Sequence, residues 1–320
     1  MAIIIVNLIL VTIFFVLVSS YIFPDFYFNL SLMFARKNAN LEIKEVYIEG
    51  KRVVYLDSGG DGENLILLHG FGADKYNWML VAPLLKNKFR LIIPDIPGFG
   101  ESEYADNLSY NLDAQVNRLE FFIEAIGCKQ YHIGGNSMGG LLAAMIAKRN
   151  YRKIFSMWLL APAGVLTTKD AMAVELIKRK DNPFIIRTKQ DFKRLIGLCF
   201  ERKPITPFFV RRVYLSKARD RADINTKLFE ELTSALIEED QQVFRLQSQL
   251  DNLNVPTLIQ WGDKDQILHP SGLTELTKVL KFSEGTLLKN MGHIPMLERP
   301  KEAVIGYMDF LKKRVSGGGN

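Results

Sequence analysis

The chain has 320 residues, 48% hydrophobic and 24% charged, which allows a large core and excludes wholesale disorder. That length suits two domains or one large α/β domain with an insertion. The formal charge of +6 permits an anionic partner without requiring one, no nucleic-acid-binding module is recognisable, and two cysteines, Cys128 and Cys199, make neither a disulfide framework nor a cysteine-rich zinc site.

The first element is an uncharged run from Ala2 to Phe23, AIIIVNLILVTIFFVLVSSYIF. As a helix rising about 1.5 Å per residue it reaches about 33 Å, enough for a hydrocarbon core of about 30 Å. Residues 1–24 are therefore expected to be a single-pass transmembrane anchor in the bilayer. A secretory signal peptide, cleaved near Val18-Ser19-Ser20 and leading to secretion, is the competing reading. Against it, no Lys or Arg precedes the run, and the run is longer than a usual signal core. Residues 25–40 form a juxtamembrane segment. Its aromatic stretch from Phe26 to Phe34 suits either the headgroup layer or a linker helix packed on the main domain. Arg36, Lys37 and Lys44 follow the span and leave the main domain leaning to the cytoplasmic side.

From residue 41 the pattern changes. Ile43 to Ile48 and Val53 to Leu56 read as two strands joined by a hairpin turn at Glu49-Gly50-Lys51. Short apolar runs follow at Leu65–Leu68, Leu91–Ile93, Tyr131–Ile133, Met157–Leu160, Thr257–Trp261 and Thr286–Leu288. Unbroken apolar strands separated by helical stretches predict a mostly parallel sheet covered on both faces. One such stretch, Leu112 to Ile126, sets Val116, Leu119, Phe122, Ile123 and Ile126 on one helical face.

The alternation stops between Val165 and Asn252, which is too long for a loop and reads as an inserted helical subdomain. Its first part, 165–221, has a net charge of +9, and its second, 222–252, of −5. The basic part suits anionic lipid as well as a plain solvated surface. The core thus comes in two parts, 41–164 and 253–315, with the insertion at 165–252 and a flexible tail at 316–320.

The chemistry concentrates at a few loops. Gly135-Asn136-Ser137-Met138-Gly139 follows a strand and opens a helix, Leu141 to Ala147, which is the setting of a G-x-S-x-G nucleophile elbow. A serine hydroxyl needs a base to take its proton. Of four histidines, His293 lies on the loop after the last strand, where that base is expected; His132 reads as a packed core residue and His269 as a surface one. The base needs a carboxylate partner, and Trp261-Gly262-Asp263-Lys264-Asp265 follows a strand between serine and histidine in the chain. Asp265 is the expected acid, with Asp263 the alternative. Oxyanion donors are expected from the backbone N–H groups of Met138, after the serine, and Phe71, in His69-Gly70-Phe71-Gly72 after an earlier strand. In that reading His69 supports its loop.

Together with Asp95-Ile96-Pro97-Gly98-Phe99-Gly100-Glu101-Ser102 and Gly292-His293, these motifs resemble the α/β-hydrolase superfamily over nearly all of residues 41–314. Within it the chain resembles membrane-anchored monoacylglycerol lipases and bacterial true lipases. The anchor, the Ser137-Met138-Gly139-Gly140 elbow and Leu160-Ala161-Pro162-Ala163-Gly164 carry that likeness. The resemblance implies an eight-stranded α/β-hydrolase fold with a helical cap at 165–252 and cofactor-independent hydrolysis of lipid esters. It implies a structural role for Asp95. Asn136 also occurs in carbon–carbon bond hydrolases of aromatic degradation. Those enzymes, a short-chain carboxylesterase, and a silent hydrolase scaffold serving as a membrane-tethered binding module stay open as alternatives.

Overall fold

A computed structural model describes residues 1–234 and 245–317. Part of the expected insertion, 235–244, and the end of the expected tail, 318–320, lie outside the described residues.

Two helices open the chain, α1 (Ala2–Ile22) and α2 (Pro24–Asn38). Proline at the first position of α2 starts a new helix where its missing N–H is no loss. The strand β1 (Glu42–Ile48) turns back as β2 (Lys51–Asp57), with Ile48 opposite Lys51. Glu49 and Gly50 both take positive φ, as a two-residue hairpin turn requires. Then come β3 (Glu63–Leu68), a short α3 (Ala82–Leu85), β4 (Phe89–Pro94), α4 (Leu112–Ala125), β5 (Tyr131–Asn136), α5 (Met138–Asn150) and β6 (Ile154–Leu160). The second part of the core holds β7 (Thr257–Gly262), α11 (Gly272–Val279), β8 (Ser283–Leu288), α12 (Pro295–Glu298) and α13 (Pro300–Gly317). Between β6 and β7 the described residues form helices only: α6 (Met172–Lys178), α7 (Lys189–Cys199), α8 (Phe208–Asp220), α9 (Ala222–Ser234) and α10 (Leu246–Gln249).

The eight strands form one sheet in the order β1-β2-β4-β3-β5-β6-β7-β8. The pairs β1–β2 and β2–β4 are antiparallel and every other pair is parallel. Alternation along each strand divides its side chains between two cores. Ile66, Leu68, Met157 and Leu159 face the layer of α4 and α5, with Val116, Leu119, Phe122, Leu142 and Ile146. Leu65, Leu67, Trp158 and Leu160 face the other layer, with Trp78, Tyr307 and Phe310. There the rings of Trp158 and Tyr307 stack at 4.6 Å. This double cover explains why the strands read as continuous apolar runs.

The parallel strands all point the same way, so the loops after β3, β5, β6 and β7 gather at one edge of the sheet, where ligands bind in such folds. One difference from the sequence reading stands out. Ser316 and Gly317, expected in a flexible tail, continue α13. The aromatic stretch forms α2, which packs on the insertion: Phe28 is buried edge-on against Tyr214 with Lys217 Nζ over its ring. Phe26, Met33 and Phe34 on the same helix stay exposed.

Candidate active site

Ser137 joins β5 to α5 at φ 57° and ψ −120°, a conformation that costs a non-glycine residue about 1–3 kcal/mol. The surroundings hold it there. Its N–H donates to Leu160 O (3.0 Å), and its carbonyl accepts from the N–H groups of Leu141 (3.1 Å) and Ala163 (3.0 Å). A turn this sharp needs bare backbone beside it. A Cβ on Gly139 would lie 2.2 Å from Leu68 O, and one on Gly135 would lie 2.2 Å from Gly139 O. Ser137 is itself only half-buried. Met138 begins α5, so its N–H is among those with no acceptor inside the helix, at the positive end of the helix dipole.

The loop after β3 runs across this turn. A Cβ on Gly70 would stand 3.4 Å from both Ser137 Cβ and Asn136 Oδ1. Phe71 comes next, and its ring meets Phe99 (5.4 Å), Phe184 (6.0 Å) and Phe229 (5.4 Å) edge-on. Phe184 and Phe229 belong to the insertion, so the loop lies between core and insertion. His69 is fully buried and both ring nitrogens are engaged. Nε2 accepts the Ile96 N–H (3.0 Å), which leaves Nδ1 carrying the proton toward Gly70 O (2.8 Å). Burial pushes its pKa down and keeps the ring neutral. His69 therefore ties its loop to the turn after β4.

Asp265 and His293 meet after β7 and β8. Nδ1 of His293 is 2.7 Å from Asp265 Oδ2, and Asp265 Oδ1 accepts the N–H groups of Ile267 (2.8 Å) and Leu268 (3.0 Å). Both residues are buried. Nε2 of His293 is buried with no hydrogen-bond partner among the described residues. The loop of His293 is held to the serine turn by Asn136, whose Nδ2 donates to both Leu160 O (3.0 Å) and His293 O (3.0 Å). Asp263 accepts the Met291 N–H (3.4 Å) and shapes the turn.

The remaining histidines are placed elsewhere. His132 is buried between Ser156 Oγ (2.8 Å) and Glu63 Oε2 (3.2 Å), and His269 bonds to Ser271. Asp95 is buried under the β4 turn. It takes Lys75 Nζ (2.6 Å), the Lys75 N–H (2.7 Å) and the Glu101 N–H (2.8 Å). Among the described residues no group of three or more His, Cys, Asp or Glu side chains is suited to a metal ion.

Sequence reasoning missed three supports. One is the bridge from Asn136 to the His293 carbonyl. Another is Cys199, whose carbonyl accepts the His293 N–H (2.8 Å). The third is the aromatic cluster on Phe71. A glycine before His293 was the available signal for the second, since a Cβ on Gly292 would lie 2.5 Å from Cys199 O.

A family model for the alpha/beta hydrolase fold matches residues 63–300. A lipase of Moraxella sp. (strain TA144) is 30% identical, covering 87% of this chain and 87% of its own. A human monoacylglycerol lipase is 27% identical over 91% of this chain and 88% of its own. The solved structure of a bacterial membrane phospholipase A is 31% identical, with a TM-score of 0.86 over 98% of this chain and 99% of its own. The chain belongs to the α/β-hydrolase fold family.

Proposed function

We propose that the chain hydrolyses carboxylic esters of lipids, monoacylglycerols or similar glycerolipids, with Ser137 as nucleophile, His293 as general base and Asp265 as its partner. It is a carboxylic ester hydrolase; the identity of its reacting groups and of its lipid is our reading. The observation that carries it is the state of His293: Nδ1 is spent on a buried carboxylate while Nε2 is buried and unspent. An imidazole so arranged is a fixed proton acceptor.

The chemistry follows from these groups. Ser137 Oγ attacks the ester carbonyl while its proton passes to His293 Nε2. The tetrahedral oxyanion is held by the N–H groups of Phe71 and Met138. The carbon–oxygen bond breaks, the imidazolium protonates the departing alcohol, and an acyl-enzyme remains. Water then attacks the acyl group with His293 again as base, releasing fatty acid and restoring Ser137. Asp265 stabilises the imidazolium in both halves without taking the proton.

Residues 165–252 serve as a cap over the site, set between the core parts 41–164 and 253–315. Two of its rings touch Phe71, which supports that assignment.

Helix α1 acts as a membrane anchor. Ile4–Ile22 has a mean hydropathy of 2.5 and is not buried inside the protein. A helix apolar all round that finds no protein core belongs in lipid. Its end is also knitted to the cap, which a disposable leader has no reason to be. Tyr21 stacks on Phe208 at 5.1 Å and accepts from Arg212 Nη1 at 2.9 Å. The exposed Phe26, Phe34, Ile205 and Phe208 around that junction suit the interfacial layer. Basic residues after the span favour a cytoplasmic main domain.

The test is hydrolysis by membranes carrying wild type or Ser137→Ala, using long-chain monoacylglycerols, diacylglycerols and short p-nitrophenyl esters. The reading predicts Ser137-dependent release of glycerol and fatty acid from the long-chain monoacylglycerols. Turnover of short esters alone contradicts the lipid substrate and leaves a short-chain carboxylesterase. No turnover, with no fluorophosphonate labelling, leaves a silent scaffold.

A further inference from the structure

Arg221, the residue just before α9, and Asn225 and Phe229 on α9 follow one another at intervals of four residues, about one helical turn apart. The two outer members are fixed against known parts of the site. Arg221 Nη2 donates to Gly98 O, in the turn whose next residue, Phe99, packs on Phe71 and His69. Phe229 packs on Phe71 itself at 5.4 Å. Asn225 lies between them, one turn before Phe229, and its N–H donates to Arg221 O (2.8 Å). It is 6% exposed, and its Oδ1 is buried with no hydrogen-bond partner among the described residues.

Buried amide carbonyls are nearly always paired, and one left unpaired needs an explanation. A second buried acceptor is also unspent, on a residue that meets the same turn as Arg221. Gln115 donates through Nε2 to Pro97 O (2.9 Å), and its Oε1 is buried with no partner. The turn at Pro97-Gly98 is thus met by Gln115 from α4 and by Arg221 from the insertion. Burial draws the pKa of the Arg221 guanidinium down, and the charge of Asp95 partly offsets this.

We infer that Asn225 is a specificity-determining residue, whose side-chain amide binds a free hydroxyl on the uncharged polyol head of the ester substrate. The inference rests on the proposed ester hydrolysis at Ser137 and deepens it to a substrate class, partial glycerides with an unesterified hydroxyl. A hydroxyl fits because it donates to the unpaired oxygen, whereas a fully esterified or etherified head has nothing to donate. A site built around such a bond discriminates strongly against the analogue that lacks it.

The experiment compares 1-monooleoylglycerol with 2,3-dimethoxypropyl oleate, the same ester with both hydroxyls methylated. The readout is the ratio of kcat/KM values for full-length wild type, Asn225→Leu and Asn225→Ala in detergent micelles. Wild type is expected to prefer the free glycerol head by about tenfold or more, and each variant to bring the ratio near one. Having two variants keeps the test available if the larger side chain spoils folding, which fluorophosphonate labelling of Ser137 reports. A wild type without the preference overturns the inference, and so does a variant that keeps it. If wild type cleaves neither oleoyl ester but turns over short p-nitrophenyl esters, the lipid reading fails and takes this inference with it. Equal cleavage of both oleoyl esters sinks the Asn225 assignment alone.

Discussion

Asp265 and His293 lie 28 residues apart in the chain and 2.7 Å apart in space, Oδ2 to Nδ1. The other carboxylate oxygen is tied to two backbone N–H groups, so Asp265 cannot turn away from the ring. That contact fixes which imidazole nitrogen carries the proton.

Asp265→Asn keeps the shape and loses the control of tautomer. An amide nitrogen facing Nδ1 donates to it and puts the ring proton on Nε2, where it cannot accept from serine. We expect kcat for ester hydrolysis to fall about 10³–10⁴-fold with the fold intact. Near-normal kcat in this variant contradicts the role given to Asp265. Asp263→Asn, altering only the turn, is expected to stay within a fewfold of wild type.

Strain at Ser137 is a second test, and it separates stability from activity. With φ at 57°, the position suits glycine better than any residue with a Cβ. Ser137→Gly should therefore be more stable than Ser137→Ala by about 1 kcal/mol, seen as a thermal midpoint a few degrees higher. Both variants should be inactive. Equal midpoints for the two would mean that the turn stores no strain.

The buried pair of Lys75 and Asp95 links the loop after β3 to the turn after β4. Both side chains are shielded from solvent, and Nζ is 2.6 Å from Oδ2. Removing one partner strands the other charge. Lys75→Met is predicted to destabilise the protein by about 3–5 kcal/mol in urea unfolding. A change below about 1 kcal/mol would show that the Asp95 carboxylate left behind is hydrated or protonated at little cost.

Acid stability tests the other end of the sheet. Burial by itself would push the Asp57 carboxyl up, but it is outweighed by the Arg90 fork (3.0 and 2.7 Å), the Gly59 N–H (2.8 Å) and Lys44 (3.0 Å), which hold it at about 2. A carboxyl lowered in the folded state stabilises above its unfolded pKa, here 3.8, and that contribution is lost as pH falls from about 4 to about 2. It amounts to about 2 kcal/mol at neutral pH. Asp57→Asn should be less stable than wild type at pH 7, with a gap that narrows toward pH 2. A gap independent of pH contradicts the assignment.

Legibility in the sequence followed the range of the interactions. Ser137 announced itself because the elbow is local: strand, tight turn and helix are contiguous, and the glycines at 135 and 139 are forced by backbone contact within a few residues and with Leu68. The pairing of Asp265 with His293 was legible from chain order and strand ends, since the sheet topology brings those ends together. The bridge from Asn136 to His293 O was invisible, because which side chain spans two loops depends on their final spacing. The same holds for Phe71. Its motif marked the loop, but the packing of Phe184 and Phe229 on its ring depends on how helices of the insertion fold over the sheet. The juxtamembrane helix was ambiguous for a physical reason. Phe28 turns inward to Tyr214 while Phe26 and Phe34 turn out, so one helix serves both packing and exposure.

The most direct test of the central claim is to catch the acyl-enzyme. Full-length protein is mixed with a long-chain monoacylglycerol, quenched in acid within milliseconds, digested and read by mass spectrometry. The account predicts an acyl adduct on the peptide containing Ser137, absent in Ser137→Ala. Hydrolysis that continues in Ser137→Ala, or an acyl group on another residue, would contradict it.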